Sequence, residues 1–155
     1  MIIAQITDLH IGFDGQGEVC KNTQRLRPVI AELNAQMAPP DLLMITGDLV
    51  ESGASWAYDK LKETLSDLNM PYFLCLGNHD NREAFIETFG NRNFNDGFLQ
   101  YTIEDWPVRV IVLDTLEEGR HGGSFCEKRA EWLNQKLLEH PERPTLIALH
   151  HPPIE

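Results

Sequence analysis

Basic residues are scarce: 13 lysines and arginines stand against 24 aspartates and glutamates in 155 residues, a formal net charge of −11. A surface of that sign repels nucleic acid and anionic membranes, so a broad electrostatic footprint for DNA is not expected. Cysteine is sparse as well. Cys20, Cys75 and Cys126 are odd in number and lack zinc-type pairing, and Cys75 sits inside an apolar run, where a thiol is buried and inert. No apolar stretch approaches the roughly 20 residues a membrane helix needs. The opening Met1-Ile2-Ile3-Ala4-Gln5-Ile6 carries no basic stretch before Asp8, which does not fit a signal peptide. There is no internal repeat and no low-complexity linker. The expectation is a reduced, cytoplasmic, soluble protein that does not engage a membrane. Against these absences, 42% hydrophobic and 24% charged residues are ordinary for a globular protein, and the length suits one domain, residues 1–155, with a real core. Part of the excess acid need not be surface charge, because carboxylates that bind metal are neutralised by it.

Short apolar runs alternate with helix-like segments. Residues 2–6, 42–46, 72–76, 108–113 and 146–149 read as buried strands. Asn22 stands where an N-cap would start a helix reaching about residue 36, with Leu26, Val29, Ile30 and Leu33 on its inner face. Leu61, Leu65 and Leu68 mark a second helix that stops before Pro71, and residues 84–89 a short third. Ala130, Leu133, Leu137 and Leu138 mark a fourth, ending near Pro141, with His140 at its C-terminus, where partial positive charge is favourable. Residues 98–104 pair with 108–113 as a hairpin across Asp105-Trp106-Pro107. Strand and helix in alternation predict an α/β protein with a largely parallel sheet. The last strand runs directly into His150-His151-Pro152-Pro153. Domains seldom finish on a central strand with a polar cluster at its end, so the chain is expected to be the N-terminal portion of a longer domain.

The polar residues that interrupt the strands fall at their ends. Asp8 and His10 follow the first, Gly47-Asp48 the second, Gly77-Asn78-His79-Asp80 the third and His150-His151 the last. In an open α/β sheet, ligands bind beyond the carboxyl ends of the strands, so these four clusters should converge on one rim. Carboxylate, imidazole and amide oxygen form a mixed donor set suited to Mn, Fe, Co or Zn rather than calcium. Two aspartates and several histidines exceed the needs of one catalytic ion. A shared aspartate could bridge two ions roughly 3.5–4 Å apart, a pair that lowers the pKa of water towards about 7 and clamps attacking and leaving oxygens. Taken singly, each cluster also reads as a turn or a rigid exit loop. Their order and their shared position carry the metal reading.

Asp8-x-His10, Gly47-Asp48, Gly77-Asn78-His79-Asp80 and His150-His151-Pro152-Pro153 together resemble the ordered motifs of the calcineurin-like metallophosphoesterase superfamily, over essentially the whole chain. Residues 47–53, and His121-Gly122-Gly123 ahead of a helix carrying Trp132-Leu133, look most like its bacterial cyclic-nucleotide and glycerophosphodiester phosphodiesterases. The resemblance implies a metallophosphatase-like α-β-β-α sandwich, here an incomplete N-terminal part of it, and a hydrolase for small-molecule phosphoesters with a binuclear centre of two divalent ions. It assigns Asp8 and His10 to the first metal, Asp48 to both, and Asn78 and His150 to the second. His79 would contact the phosphate and protonate the leaving alkoxide, a role that suits imidazole. Asp80 would cap the helix that follows or, less favoured, orient His79.

Two departures matter. Protein phosphatases of the superfamily carry Asp-Arg-Gly where this chain has Glu51-Ser52-Gly53, which argues against that activity. The family's later Gly-His-x-His motif, one histidine for each metal, is absent, so both ions would be under-coordinated and the site is expected to fill weakly or with help from another chain. Pairing of sheet edges into a homo-oligomer is a further expectation. Gly12, Gly15 and Gly17 lack the spacing of a phosphate loop and read as a loop only, His121 as an exposed residue on a glycine turn, and Trp56, Trp106 and Trp132 as packing residues. The alternatives are a nuclease of the same superfamily, disfavoured by the acidic charge, and a non-catalytic scaffold, disfavoured because every ligand expected in this stretch is intact.

Overall fold

The computed structural model describes residues 1–16 and 20–153. In chain order the elements are β1 (Ile3–Ile6), α1 (Lys21–Ala35), β2 (Leu42–Thr46), α2 (Ser55–Leu65), β3 (Tyr72–Cys75), α3 (Arg82–Phe89), β4 (Phe94–Asn95), β5 (Phe98–Leu99), β6 (Tyr101–Ile103), β7 (Arg109–Val112), α4 (Glu127–Glu139) and β8 (Thr145–Ala148). They form four layers, α-β-β-α. One sheet runs β1-β2-β3, all parallel; the other runs β6-β7-β8, antiparallel then parallel. β4 and β5 make a small antiparallel ribbon.

The strand side chains explain the layering. All five residues of β2 are buried. Because successive side chains point to opposite faces, Leu43 and Ile45 join Leu26, Ile30, Leu61, Leu65 and Phe85 under α1–α3. Leu42 and Met44 turn the other way, into a core between the sheets with Cys75, Ile103, Val110 and Val112. β7 repeats the pattern, with Ile111 and nearby Leu113 packing under Trp132 of α4. A continuous apolar run is what a strand buried on both faces requires. Trp56 packs against the helix-side core and Trp106 against Phe73, so all three tryptophans are packing residues.

Several expectations are corrected. β8 is less buried than a strand covered on both faces, with Leu146 42% and Ile147 39% exposed. The inner face of α4 is Arg129, Trp132, Leu133 and Leu137, while Ala130 and Leu138 point outward. Val29 of α1 is also exposed. Cys20, not Asn22, is the N-cap of α1; the Asn22 amide instead donates to the carbonyls of Leu9 and His10 at 3.0 Å each. Gly17 lies outside the described residues. Among the described residues, no helix is long and apolar enough to cross a membrane.

Candidate metal centre

β1 and β2 do not part when their regular pairing ends. The amides of Asp8, His10 and Ile11 donate to the carbonyls of Gly47, Asp48 and Leu49 at 3.1, 3.0 and 3.2 Å, and Glu51 N returns a bond to Ile11 O. This continued pairing places Asp8 and His10 beside Asp48 at the carboxyl rim of the sheet. To present their side chains there, Asp8, His10 and Asp48 all adopt left-handed backbone, with φ of 56°, 43° and 48°. For residues with a Cβ this is strained by on the order of 1–3 kcal/mol each, and such strain concentrates at functional sites.

Asp48 is the hub, 4% exposed. Its Oδ1 accepts from His79 N at 3.0 Å and lies 3.5 Å from His150 Nε2, while Oδ2 lies 3.6 Å from His10 Nε2. Neither imidazole nitrogen is within ordinary hydrogen-bonding distance. Among the described residues the Asp48 carboxylate accepts this one hydrogen bond, and a nearly buried carboxylate facing imidazoles on both oxygens fits a cation on either side. Two groups of three side chains have ligand atoms within 4.8 Å of one another: His10, Asp48 and His79, and Asp8, Asp48 and His150. Asp48 belongs to both. Asn78 lies between Gly77 and His79 and lines the adjoining cavity.

Each histidine is oriented through its Nδ1. That of His10 meets Glu51 Oε2, that of His79 the Glu51 carbonyl and that of His150 the Thr46 carbonyl, all at 2.8 Å. Carbonyl acceptors require Nδ1–H on His79 and His150, and the Glu51 carboxylate favours it on His10, leaving Nε2 of each ring free as a donor atom or proton carrier. The Glu51 carbonyl also raises the His79 pKa above its ordinary value; burial opposes this, and the carboxylates of Asp48, Glu51 and Asp80 add to the rise. The site is tightly built around glycines. A Cβ on Gly77 would fall 2.2 Å from Asp48 Oδ1, and one on Gly47, at φ +97°, 2.4 Å from His150 Nδ1.

Asp8, His10, Asp48, His79 and His150 thus lie together at the rim, and Asn78 lines the cavity beside His79. Asp80 has neither anticipated role: Asn81 caps α3, accepting from Ala84 N. The buried Asp80 carboxylate instead accepts from Gly77 N, Leu49 N and Tyr58 Oη at 2.8, 3.2 and 2.9 Å, tying the loops after β2 and β3 together, and burial pushes its pKa up to about 6. Sequence reasoning gave Glu51 no role, although it sits within a quoted motif. It also missed His151, which is buried, bonds Thr115 Oγ1 through Nδ1 at 2.8 Å and packs against Gly123.

The layered fold and the His/Asp rim describe a candidate metal centre, and comparison with known proteins gives the family. The model of the calcineurin-like phosphoesterase family matches residues 1–155, and the chain belongs to that family. Curated relatives include bacterial proteins named as phosphodiesterases. It is 33% identical to a probable glycerophosphodiester phosphodiesterase GpdQ of Arcobacter nitrofigilis, over 100% of this chain and 58% of that protein. It is 38% identical to a probable cyclic nucleotide phosphodiesterase of Synechococcus, over 98% and 58%. To the 3',5'-cyclic adenosine monophosphate phosphodiesterase CpdA of Escherichia coli K12 it is 31% identical, over 98% and 55%. The chain thus spans a little over half the length of these relatives.

Proposed function

We propose that residues 1–155 carry the ligand-bearing part of a metal-dependent phosphodiesterase for small molecules, a cyclic nucleotide or a glycerophosphodiester, working with two divalent ions drawn from Mn, Fe, Co or Zn. The observation that carries this reading is Asp48, a nearly buried carboxylate whose two oxygens face His150 on one side and His10 on the other. Asp8 and His10 would hold one ion, Asn78 and His150 the other, and Asp48 both. Cations there would supply a nucleophile from water near neutral pH and neutralise phosphoryl charge.

The chain's own residues do the rest. Glu51 and the Thr46 carbonyl fix the ring tautomers so that Nε2 faces the reacting centre. His79 is assigned as the general acid rather than a ligand, as the resemblance of Gly77-Asn78-His79-Asp80 to the family motif implies; with Nδ1 held by the Glu51 carbonyl, its Nε2 is the atom left to carry the proton. It would give its Nε2 proton to the departing alkoxide as the P–O bond breaks. The net charge of −11 suits small substrates over nucleic acid, and three free thiols, one of them exposed, suit a reducing cytoplasm. The test is hydrolysis of bis(p-nitrophenyl) phosphate by the full-length natural protein, with metal content measured in parallel. Two ions per chain and metal-dependent cleavage are expected; stoichiometric metal without cleavage would make the protein a scaffold instead.

A further inference from the structure

Away from the metal rim, β3, α3 and the segment joining β5 to β6 enclose a hollow of about 130 Å³. Five aromatic rings and two leucines line it, among them Tyr72, Phe85, Phe89 and Tyr101. Phe85 and Phe89 are stacked, with ring centroids 4.9 Å apart and 28° between their planes. Phe85, Leu74 and Leu99 are buried, so this part of the lining belongs to the core. The Tyr101 hydroxyl is fully engaged: it donates to the Leu74 carbonyl at 2.9 Å and accepts from Leu74 N at 3.0 Å. The hollow is the size of one ring, since a cavity of about 150 Å³ admits benzene.

The remaining three lining residues, Gly90, Arg92 and Asn93, are exposed and so form its solvent side. The Arg92 guanidinium and the Asn93 amide have no partner among the described residues. Arg82, Arg120 and Arg143 are by contrast each paired with an acid. No carboxylate lines the hollow, although the chain carries a net charge of −11. β3 also ends its sheet. Leu43 N takes the Pro71 carbonyl at 3.0 Å, and residues along a strand alternate in the direction of their peptide groups, so those of Tyr72 face the open edge. An apolar, ring-walled hollow with a few unpaired polar groups at one side has the composition of a small-molecule site.

We propose that this hollow binds a small aromatic carboxylate, with the ring among the aromatic side chains and the carboxylate against Arg92. A ring finds offset and edge-on partners there, and a guanidinium receives a carboxylate through two parallel N–H bonds. A polyol would leave hydroxyl groups unpaired against the rings, and an amine would meet the like charge of Arg92. The site is separate from the metal centre: neither His79 nor any residue assigned to a metal lines it. It therefore stands independently of the phosphodiesterase reading.

The experiment is calorimetric titration of the full-length natural protein, loaded with Mn and saturated with inorganic phosphate so that carboxylates do not compete for the metal rim. The probes are phenylacetate, acetate and the neutral 2-phenylethanol. One phenylacetate per chain is expected, bound at least about tenfold more tightly than acetate, the yield of burying a ring. It should bind about three- to fivefold more tightly than 2-phenylethanol, which is what one exposed ion pair contributes. Arg92→Ala should erase the difference between phenylacetate and 2-phenylethanol and leave the alcohol's affinity unchanged, and Arg92→Lys should keep part of it. Arg92 is exposed, so neither substitution disturbs the core. Absence of saturable binding, acetate binding as well as phenylacetate, or an Arg92→Ala protein that still prefers phenylacetate would each overturn the site. Binding seen only without phosphate would place the carboxylate at the metal rim and overturn it as well.

Discussion

Asp114→Ala is the most informative perturbation of the scaffold. The carboxylate is wholly buried and accepts four hydrogen bonds within 3.0 Å: two from Arg82 and one each from the amides of Leu99 and Leu116. Removing it leaves Arg82 with Glu118 and the Leu116 carbonyl and, more seriously, leaves Arg129, whose side chain is 5% exposed, without its carboxylate. Arg129 keeps the Asp114 carbonyl, Ser124 Oγ and a ring contact with Phe98 at 4.5 Å, all neutral partners. Breaking a buried ion pair by deleting one partner costs about 3–5 kcal/mol, and orphaned buried amides add to that. Because access of water offsets part of the penalty, a loss of about 4 kcal/mol is expected. Against the 5–15 kcal/mol typical of a domain, that is a large fraction. Urea unfolding followed by tryptophan fluorescence should show it as a lower midpoint at unchanged slope, Trp132 being buried nearby. In a double-mutant cycle, Arg82→Ala should show a coupling of about 1–3 kcal/mol with Asp114→Ala. A single-mutant loss below about 1 kcal/mol, or additive effects, would refute the view that this pair holds the 115–123 loop.

Other outcomes bear on the site. Asp48→Ala should abolish binding of both ions, since one carboxylate serves both; two ions per chain in that variant by elemental analysis would disprove bridging. His79→Ala should slow cleavage of alkyl diesters by at least about 100-fold, within the range for general acids, but aryl diesters far less, because a good leaving group needs no proton; equal losses would reduce His79 to a phosphate contact. Gly77→Ala places a methyl 2.2 Å from Asp48 Oδ1 and should weaken metal affinity at least about tenfold, with about 1–3 kcal/mol of destabilisation; unchanged calorimetric titration would contradict it. A disulfide reagent at pH 8 should label Cys126 first, since the Arg129 amide and guanidinium lower its pKa, whereas burial pushes Cys75 up to about 12. Cys75 should react only when the protein unfolds, and prompt labelling would mean the inter-sheet core is open.

Much of this architecture is written locally. β2 was legible because a strand buried on both faces must be apolar throughout, and Asp8, His10, Asp48 and His150 because polar residues at strand ends share one rim. Where the reading erred, the deciding partners were distant in sequence. The α4 stripe was misplaced because a buried arginine, Arg129, takes a core position, where it reaches Asp114, 15 positions earlier, and the Phe98 ring. Arg82 and Asp114 are separated by 32 positions, so nothing local marks either as half of a buried pair. Asp80 looked like a cap because Asp commonly caps helices; its pull towards Leu49 N and Tyr58 Oη depends on how two loops dock. Glu51 orients His79 through its backbone carbonyl, which any residue type would supply. In β8, Leu146 and Ile147 are apolar but remain exposed, which their residue types do not signal.

The contact between His150 and the Thr46 carbonyl joins positions 104 apart in the chain, while Asp8 follows β1 and His150 follows β8. Such a centre cannot form piecemeal. Pairings this remote in sequence are reached late, after the loop-closure entropy between them has been overcome, so no early intermediate can gather the full set of donors. Acquisition of metal becomes a report on completed folding. In refolding experiments, ion uptake should lag behind the formation of secondary structure, and a chain misfolded anywhere between β1 and β8 should fail to load.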